Sequence, residues 1–102
     1  MIRLIATIEL APGRRHDFLA IFRLLVPKVR AEEGCLEYVP AIDLATSIAA
    51  QGPVRDDVVT VIEAWESIER LQQHLVAPHM LEYRRAVKEL VRGVQLQILE
   101  PA

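Results

Sequence analysis

The sequence is poor in several residue types whose abundance would indicate a specialised class of protein. Cysteine occurs once, glycine four times, and aromatic residues make up 5% of the 102 positions. Because Cys35 has no second cysteine to pair with, we interpret it as a small buried hydrophobic residue rather than a reactive thiol, in a reducing compartment. The first residues, Met1–Leu4, already look like a strand and not a secretion signal. Since no apolar run reaches membrane-spanning length, we predict no membrane partner and a cytoplasmic location.

The charge pattern excludes further classes. Twelve basic and fourteen acidic residues give a net charge of −2, so we predict no binding to nucleic acid. The chain has no glycine-rich phosphate loop and no recognisable cluster of metal ligands, and we therefore expect neither a cofactor nor a metal ion. His74 and His79 are five residues apart across a proline, which is not a metal-ligand spacing on one helical face.

Hydrophobic residues are abundant, at 52% of the chain. A length of 102 residues predicts a single domain, residues 1–102, with one core. Spare apolar surface on so small a domain usually goes into a ligand pocket or a partner subunit.

The periodicity of the apolar residues predicts seven elements. Strands have a period of two and helices a period of 3.6. The predicted strands are Ile2–Leu10, Cys35–Leu44, Val58–Ile62 and Val94–Leu99, and the predicted helices are Arg14 to about Glu32, Ile68–Val76 and Pro78 to about Val91. Pro27 should kink or split the end of the first helix, Gly34 should terminate it, and Ser67 should cap the second. Residues 45–57 form a loop long enough to carry function.

The order of these elements predicts an α+β, ferredoxin-like βαββαβ fold, with a four-stranded antiparallel sheet and helices on one face. In that topology the first and third strands are central, and Pro40 agrees with an edge position for the second strand. The third strand is apolar on both sides, with Val58 and Ile62 on one and Val59 and Val61 on the other. Because the helices cover one face of the sheet, we predict that a second copy covers the other in a homodimer.

A series of short motifs resembles a known family. The motifs are Glu63-Ala64-Trp65-Glu66-Ser67, Leu71, His74, Pro78-His79-Met80, Glu32-Glu33-Gly34-Cys35, Tyr38-x-Pro40 and Gln97-Ile98-Leu99-Glu100-Pro101. Together they are similar to the antibiotic biosynthesis monooxygenase superfamily of dimeric α+β barrels, closest to the bacterial quinol monooxygenases, over essentially the whole chain. The haem-degrading relatives use an Asn in the first strand, a Trp and a His, where this chain has no Asn, then His74 and Arg84. That difference argues against haem degradation.

The resemblance implies oxidation of a quinol or similar electron-rich aromatic with dioxygen, without metal or flavin. An ionised quinol can itself pass an electron to dioxygen, so the site has to remove a proton, hold the ring and exclude water.

His74 is the candidate catalytic base. It is expected on the flank of the buried helical stripe, and an imidazole with an unperturbed pKa near 6.5 suits proton abstraction at neutral pH. The alternative is a half-buried histidine bonded to a backbone carbonyl.

Six other residues are candidate substrate-binding groups. They are Trp65, Tyr38, Glu63, His79, Tyr83 and Arg84. Trp65 could stack on a planar ring or fill the core, His79 could line the pocket mouth or bond backbone groups at the helix start, and the tyrosines could hold a quinol oxygen or pack. Glu63, on an otherwise apolar face, needs a partner such as Arg84 or a histidine.

Two other functions compete with oxygenation. A dimeric α+β barrel with the same pocket could hold a small molecule, or act in a stress response, without catalysis. RNA-recognition domains share the topology, but they need exposed aromatic residues on the central strands, and Val58–Ala64 has none. We therefore discard RNA binding.

Overall fold

The computed structural model describes all 102 residues and contains four strands and three helices. The elements are β1 (Ile2–Leu10), α1 (Arg15–Arg30), β2 (Cys35–Ala41), β3 (Val58–Trp65), α2 (Ile68–Leu75), α3 (Pro78–Ala86) and β4 (Val91–Leu99). All three strand pairings are antiparallel, in the order β2-β3-β1-β4. The predicted fold, with β1 and β3 in the centre and β2 and β4 at the edges, is confirmed.

Alternation along the strands separates the two faces of the sheet. On β1, Leu4, Ala6 and Ile8 are buried under the helices, as are Val59 and Val61 on β3. The face without helices is more mixed than the sequence indicated. It carries half-buried Ile5 and Ile62, but also Thr7 and Thr60, which pair across the two central strands. The helix-free face of β3 is therefore less uniformly apolar than the sequence analysis described.

Several predicted boundaries shift. Helix α1 continues through Pro27 to Arg30, so the predicted split is absent. Pro27 itself has no N–H to donate, but the helical bonding resumes beyond it, where the Ala31 amide donates to the Pro27 carbonyl at 3.2 Å. Strand β2 ends at Ala41 and not at Leu44, while β3 extends to Trp65.

The end of the chain also differs from the prediction. Helix α3 ends at Ala86, and β4 begins at Val91 where the sequence predicted a helix. The Ala11 amide donates to the Leu90 carbonyl at 2.8 Å, which places the residues before β4 beside the end of β1.

The caps follow the sequence. The Ser67 hydroxyl accepts from the Arg70 amide at 3.3 Å and begins α2, and Pro78 stands in the first turn of α3. None of the three helices has the length and apolar composition that crossing a membrane requires.

Candidate active site

A cavity of about 420 Å³ lies between the sheet and α3, within the usual size range of small-molecule sites. Thirteen of its seventeen lining residues are hydrophobic, and these include Leu4, Ala6 and Ile8 of β1 and Val94 and Leu96 of β4. Its polar groups divide into two sets by depth. Tyr38, Glu63 and His74 line the buried end, while Arg84 and Lys88 stand at the exposed rim.

Three charged or polar side chains meet next to the buried end of this cavity. The Glu32 carboxylate oxygen Oε2 lies 2.7 Å from Nδ1 of His74 and 2.8 Å from Nε2 of His79. A carboxylate only accepts hydrogen bonds, so each imidazole donates its N–H to it. His74 is then the tautomer with a proton on Nδ1, and its Nε2 keeps a lone pair that can accept a proton.

The local chain path explains how Glu32 reaches this position. Gly34 has a φ of +87°, and a Cβ there would lie 2.5 Å from Cγ of Arg70. Because glycine has none, the turn between α1 and β2 packs tightly on the start of α2. The Glu66 amide donates to the Gly34 carbonyl at 2.9 Å, and Arg70 pairs with Glu33 at 3.2 Å. These contacts anchor the turn that follows Glu32 on the start of α2, the helix that carries His74.

His74 is 1% exposed and belongs to the core, not to the flank of the buried stripe as predicted. Its ring centroid lies 4.6 Å from that of Trp65 and 5.6 Å from that of Tyr38. Burial lowers its pKa from the ordinary value, and the bond to Glu32 opposes this shift without reversing it. The ring is therefore neutral at pH 7, the form that a base needs.

Glu63 is the second buried acid of the site. Its Oε1 accepts a hydrogen bond from Nε1 of Trp65 at 2.9 Å and lies 4.0 Å from Nε2 of His74. Burial raises its pKa to about 7, the Trp65 bond lowers it, and the charge of Glu32 raises it further. The ion pair with Arg84 that the sequence allowed does not form, and Trp65 takes its place as the partner.

Tyr38 and Tyr83 both line the cavity. Tyr38 stacks on Phe22 at 5.7 Å, and Tyr83 meets the same ring edge-on at 5.6 Å. Burial raises the pKa of both hydroxyls, so they stay protonated and can donate to a ligand oxygen.

Two candidate residues do not line the cavity. Trp65 has no exposed surface and packs beneath Glu63 and His74, so it fills the core and does not offer a face to a ligand ring. His79 is partly exposed, lines a smaller surface groove and bonds Glu32 instead of backbone groups. Glu32 lies in one of the family motifs but was not predicted as a site residue. The sequence signal that could have indicated it is its position two residues before Gly34, because a glycine turn that packs against a helix brings the preceding acid close to that helix.

The same three side chains have the composition of a metal site. One ligand atom each from Glu32, His74 and His79 lie within 4.8 Å of one another, a donor set that could hold a divalent cation. The expectation that the two histidines are not arranged as ligands assumed a single helical face. The break between α2 and α3 instead turns both towards one carboxylate, at distances that hydrogen bonds alone account for.

The similarity to known proteins extends over most of the chain. Residues 1–86 match the model of the antibiotic biosynthesis monooxygenase family, and the chain belongs to that family. It is 41% identical to "Probable quinol monooxygenase YgiN" of Escherichia coli K12, over 99% of this chain and 98% of the relative. Two solved structures are similar over 99% of this chain. PA3566 of Pseudomonas aeruginosa has a TM-score of 0.81 at 31% identity, over 93% of its own length, and Rv0793 of Mycobacterium tuberculosis has 0.78 at 28%, over 94%.

Proposed function

We propose that the protein is a cofactor-independent monooxygenase that oxidises a quinol or similar electron-rich aromatic with dioxygen. The observation that carries this proposal is the buried end of the cavity, where the neutral His74 is oriented by Glu32 with Nε2 free to accept a proton. The membership of a monooxygenase family, and the similarity to a relative named for quinols, support the reaction class and the substrate class.

The residues suit the first chemical step. Nε2 of His74 takes the proton of one substrate hydroxyl, and the Glu32 carboxylate stabilises the imidazolium that forms. Tyr38 and Tyr83 donate hydrogen bonds to substrate oxygens, and the apolar walls hold the ring. The Arg84 guanidinium at the rim favours the anion electrostatically. The electron-rich anion then passes one electron to dioxygen, and the semiquinone and superoxide combine through a new C–O bond. The hydroperoxide that forms after protonation loses water, so that one oxygen atom stays on the ring, the other leaves as water, and the quinol becomes a hydroxyquinone.

Glu63 gives the site a second proton position. Burial raises its pKa to about 7, so that both protonation states are accessible near neutral pH, and it lies 4.0 Å from the base nitrogen of His74. It can therefore hold a proton until the reduced oxygen takes it up.

Oxygen uptake with a panel of hydroquinones and naphthohydroquinones tests the proposal. We expect chelator-treated protein to consume oxygen well above the rate of autoxidation, and ¹⁸O₂ to label an oxygenated product. His74→Gln should lower this rate, whereas His16→Gln, a change at an exposed histidine of α1, should leave it unchanged. Activity lost on chelation and restored by one metal would instead assign the Glu32 cluster to a metal ion.

The alternative is a binding protein without catalysis. Quenching of Trp65, the single tryptophan, reports quinone binding, because its ring lies 4.6 Å from that of His74. Tight quenching by quinones without oxygen uptake from any quinol would support this alternative.

We also propose that the protein is a homodimer located in the cytoplasm. The half-buried Ile5, Val58 and Ile62 on the helix-free face support a partner subunit, and the free thiol of Cys35 suits a reducing compartment. Sedimentation at micromolar concentration and cell fractionation test the two statements, and a stable monomer would contradict the first.

A further inference from the structure

The segment between β2 and β3, residues 42–57, is here called the arm. Every residue from 44 to 56 is exposed, and four large apolar side chains, Ile42, Leu44, Ile48 and Val54, are 42–75% exposed. The arm nevertheless has defined internal bonds. The Arg55 side chain bonds both Asp43 oxygens at 2.8 and 2.9 Å, and Gln51 bonds Thr46 and the Leu44 carbonyl. It is therefore an ordered segment without a core of its own.

A second apolar surface lies on β4. Val94, Leu96 and Ile98, here called the β4 strip, pair with Ile8, Ala6 and Leu4 and therefore share the helix-covered face of the sheet. The helices do not reach them, and they are 44–56% exposed, in contrast to their buried neighbours on β1. Val94 and Leu96 also line the cavity, so the cavity is open to water along β4.

The middle of the arm and the part of β4 that carries the β4 strip match in composition. Residues 44–54 contain no charged side chain, and neither do residues 93–99, although 25% of the chain is charged. Two exposed segments with apolar side chains and no charges are typical of surfaces that bury each other.

The topology shows how they can meet. The arm leaves the sheet at its β2 edge, and β4 is the opposite edge, roughly 14 Å away across three strand spacings. Within one chain the two do not meet, since both are exposed. In a face-to-face pair whose two-fold axis runs along the strands, closing the two sheets into a barrel brings the β2 edge of one copy beside the β4 edge of the other. An arm of sixteen residues anchored at both ends reaches about 25 Å, enough to pass around that edge.

We infer that the arm of each subunit covers the β4 strip of its partner and forms the outer wall of the partner's cavity. The inference rests on the homodimer proposed above, and its link to catalysis rests on the proposed function. It means that each cavity is incomplete in an isolated chain, and that the second copy supplies the apolar wall that excludes water from the quinol.

Disulfide trapping between separately made chains tests the contact without reference to activity. All chains carry Cys35→Ser. Chains with Leu44→Cys, Ile48→Cys or Val54→Cys are mixed with chains carrying Val94→Cys, Leu96→Cys or Ile98→Cys and oxidised gently. We expect at least one arm–strip pair to give a linked dimer on a non-reducing gel. Leu24→Cys, at an exposed apolar position of α1, should give none with any strip variant. A stable dimer without any arm–strip link, or a monomer, would overturn the inference.

Ligand binding tests the wall. The double variant Leu44→Ser with Ile48→Ser should weaken 1,4-naphthoquinone binding, read from Trp65 quenching, by roughly tenfold through lost apolar burial. Leu24→Ser should leave it unchanged. Unchanged binding in the double variant would contradict the wall. If arm–strip links form and quinone binds, but no oxygen is consumed, this inference stands and the proposed function fails. If oxygen is consumed but no links form, the proposed function stands and this inference fails.

Discussion

Replacing His74 by alanine separates its two roles, since it is both the proposed base and part of the core. The change removes a ring packed against Trp65 and Tyr38 and the 2.7 Å bond to Glu32. Lost packing and one lost charge-assisted bond together cost about 2–4 kcal/mol of unfolding free energy. For a domain of this size, that lowers the melting temperature by roughly 10–20 °C.

The effect on turnover should be larger than the effect on folding. Losing a general base lowers turnover by roughly 10²–10⁴-fold at pH 7, measured by oxygen uptake well below the melting temperature. Alkaline buffer should restore part of the rate, because solvent then ionises the quinol.

Leu71→Ala is the matched control. Leu71 is as buried as His74 and lies on the same helix, but it does not line the cavity. Its truncation should lower the free energy of unfolding by a similar amount, about 2–5 kcal/mol. The control should lose stability and keep turnover. Near-wild-type turnover of His74→Ala at pH 7, or an equal loss in both variants, would refute the assignment of His74 as the base.

Four further substitutions, with one control, test the electrostatics and the turn. In the folded protein the pKa of Glu63 is near 7, above its value in the unfolded chain, so the folded state holds this proton over a wider pH range. The free energy of unfolding should therefore fall by about 3 kcal/mol as pH rises from about 4.5 to 7. Glu63→Gln should remove this fall, measured by chemical denaturation at several pH values. His74, with a lowered folded pKa, acts in the opposite sense below pH 6.5, and His74→Gln removes that part separately. Trp65→Phe removes the bond that lowers the Glu63 pKa. The midpoint at which the infrared carboxyl band of Glu63 titrates should therefore shift to higher pH, and an unchanged midpoint would contradict the assignment. Gly34→Ala should destabilise by about 1–2 kcal/mol because of the positive φ and the contact with Arg70, whereas Gly52→Ala, with open space around it, should be close to neutral by thermal melting.

The fold was predictable because its main signals are local. Alternation in β1, the caps at Ser67 and Pro78, and Pro40 on an edge strand each depend on neighbours in the sequence. The errors occurred where helical and strand periods coincide. Val87, Leu90 and Val91 fit a helical stripe. In the structure, however, the amide of Ala11, just after β1, donates to the Leu90 carbonyl, and β4 begins at Val91. Tertiary pairing decided that boundary.

The candidate site was predictable in its residue types but not in its connections. His74, Glu63, Tyr38, Tyr83 and Arg84 do line one cavity. The partner of His74 could not be read from the sequence, because Glu32 is 42 positions away and reaches it only through the Gly34 turn. Periodicity places a residue around a helix axis, but it does not show what packs against that side, and so it missed the full burial of His74.

The state of a bound quinol before oxygen is admitted tests the central claim most directly. A naphthohydroquinone mixed with the protein anaerobically at pH 7 should show the ultraviolet spectrum of its monoanion. Although burial lowers the pKa of His74 in the free site, the Glu32 carboxylate stabilises the imidazolium, and the tyrosine hydroxyls and Arg84 stabilise the quinol anion beside it. Admitting oxygen should then remove that band. His74→Gln should bind the quinol in its neutral form. A neutral quinol spectrum in the wild-type complex, or an anion that persists in His74→Gln, would contradict the account.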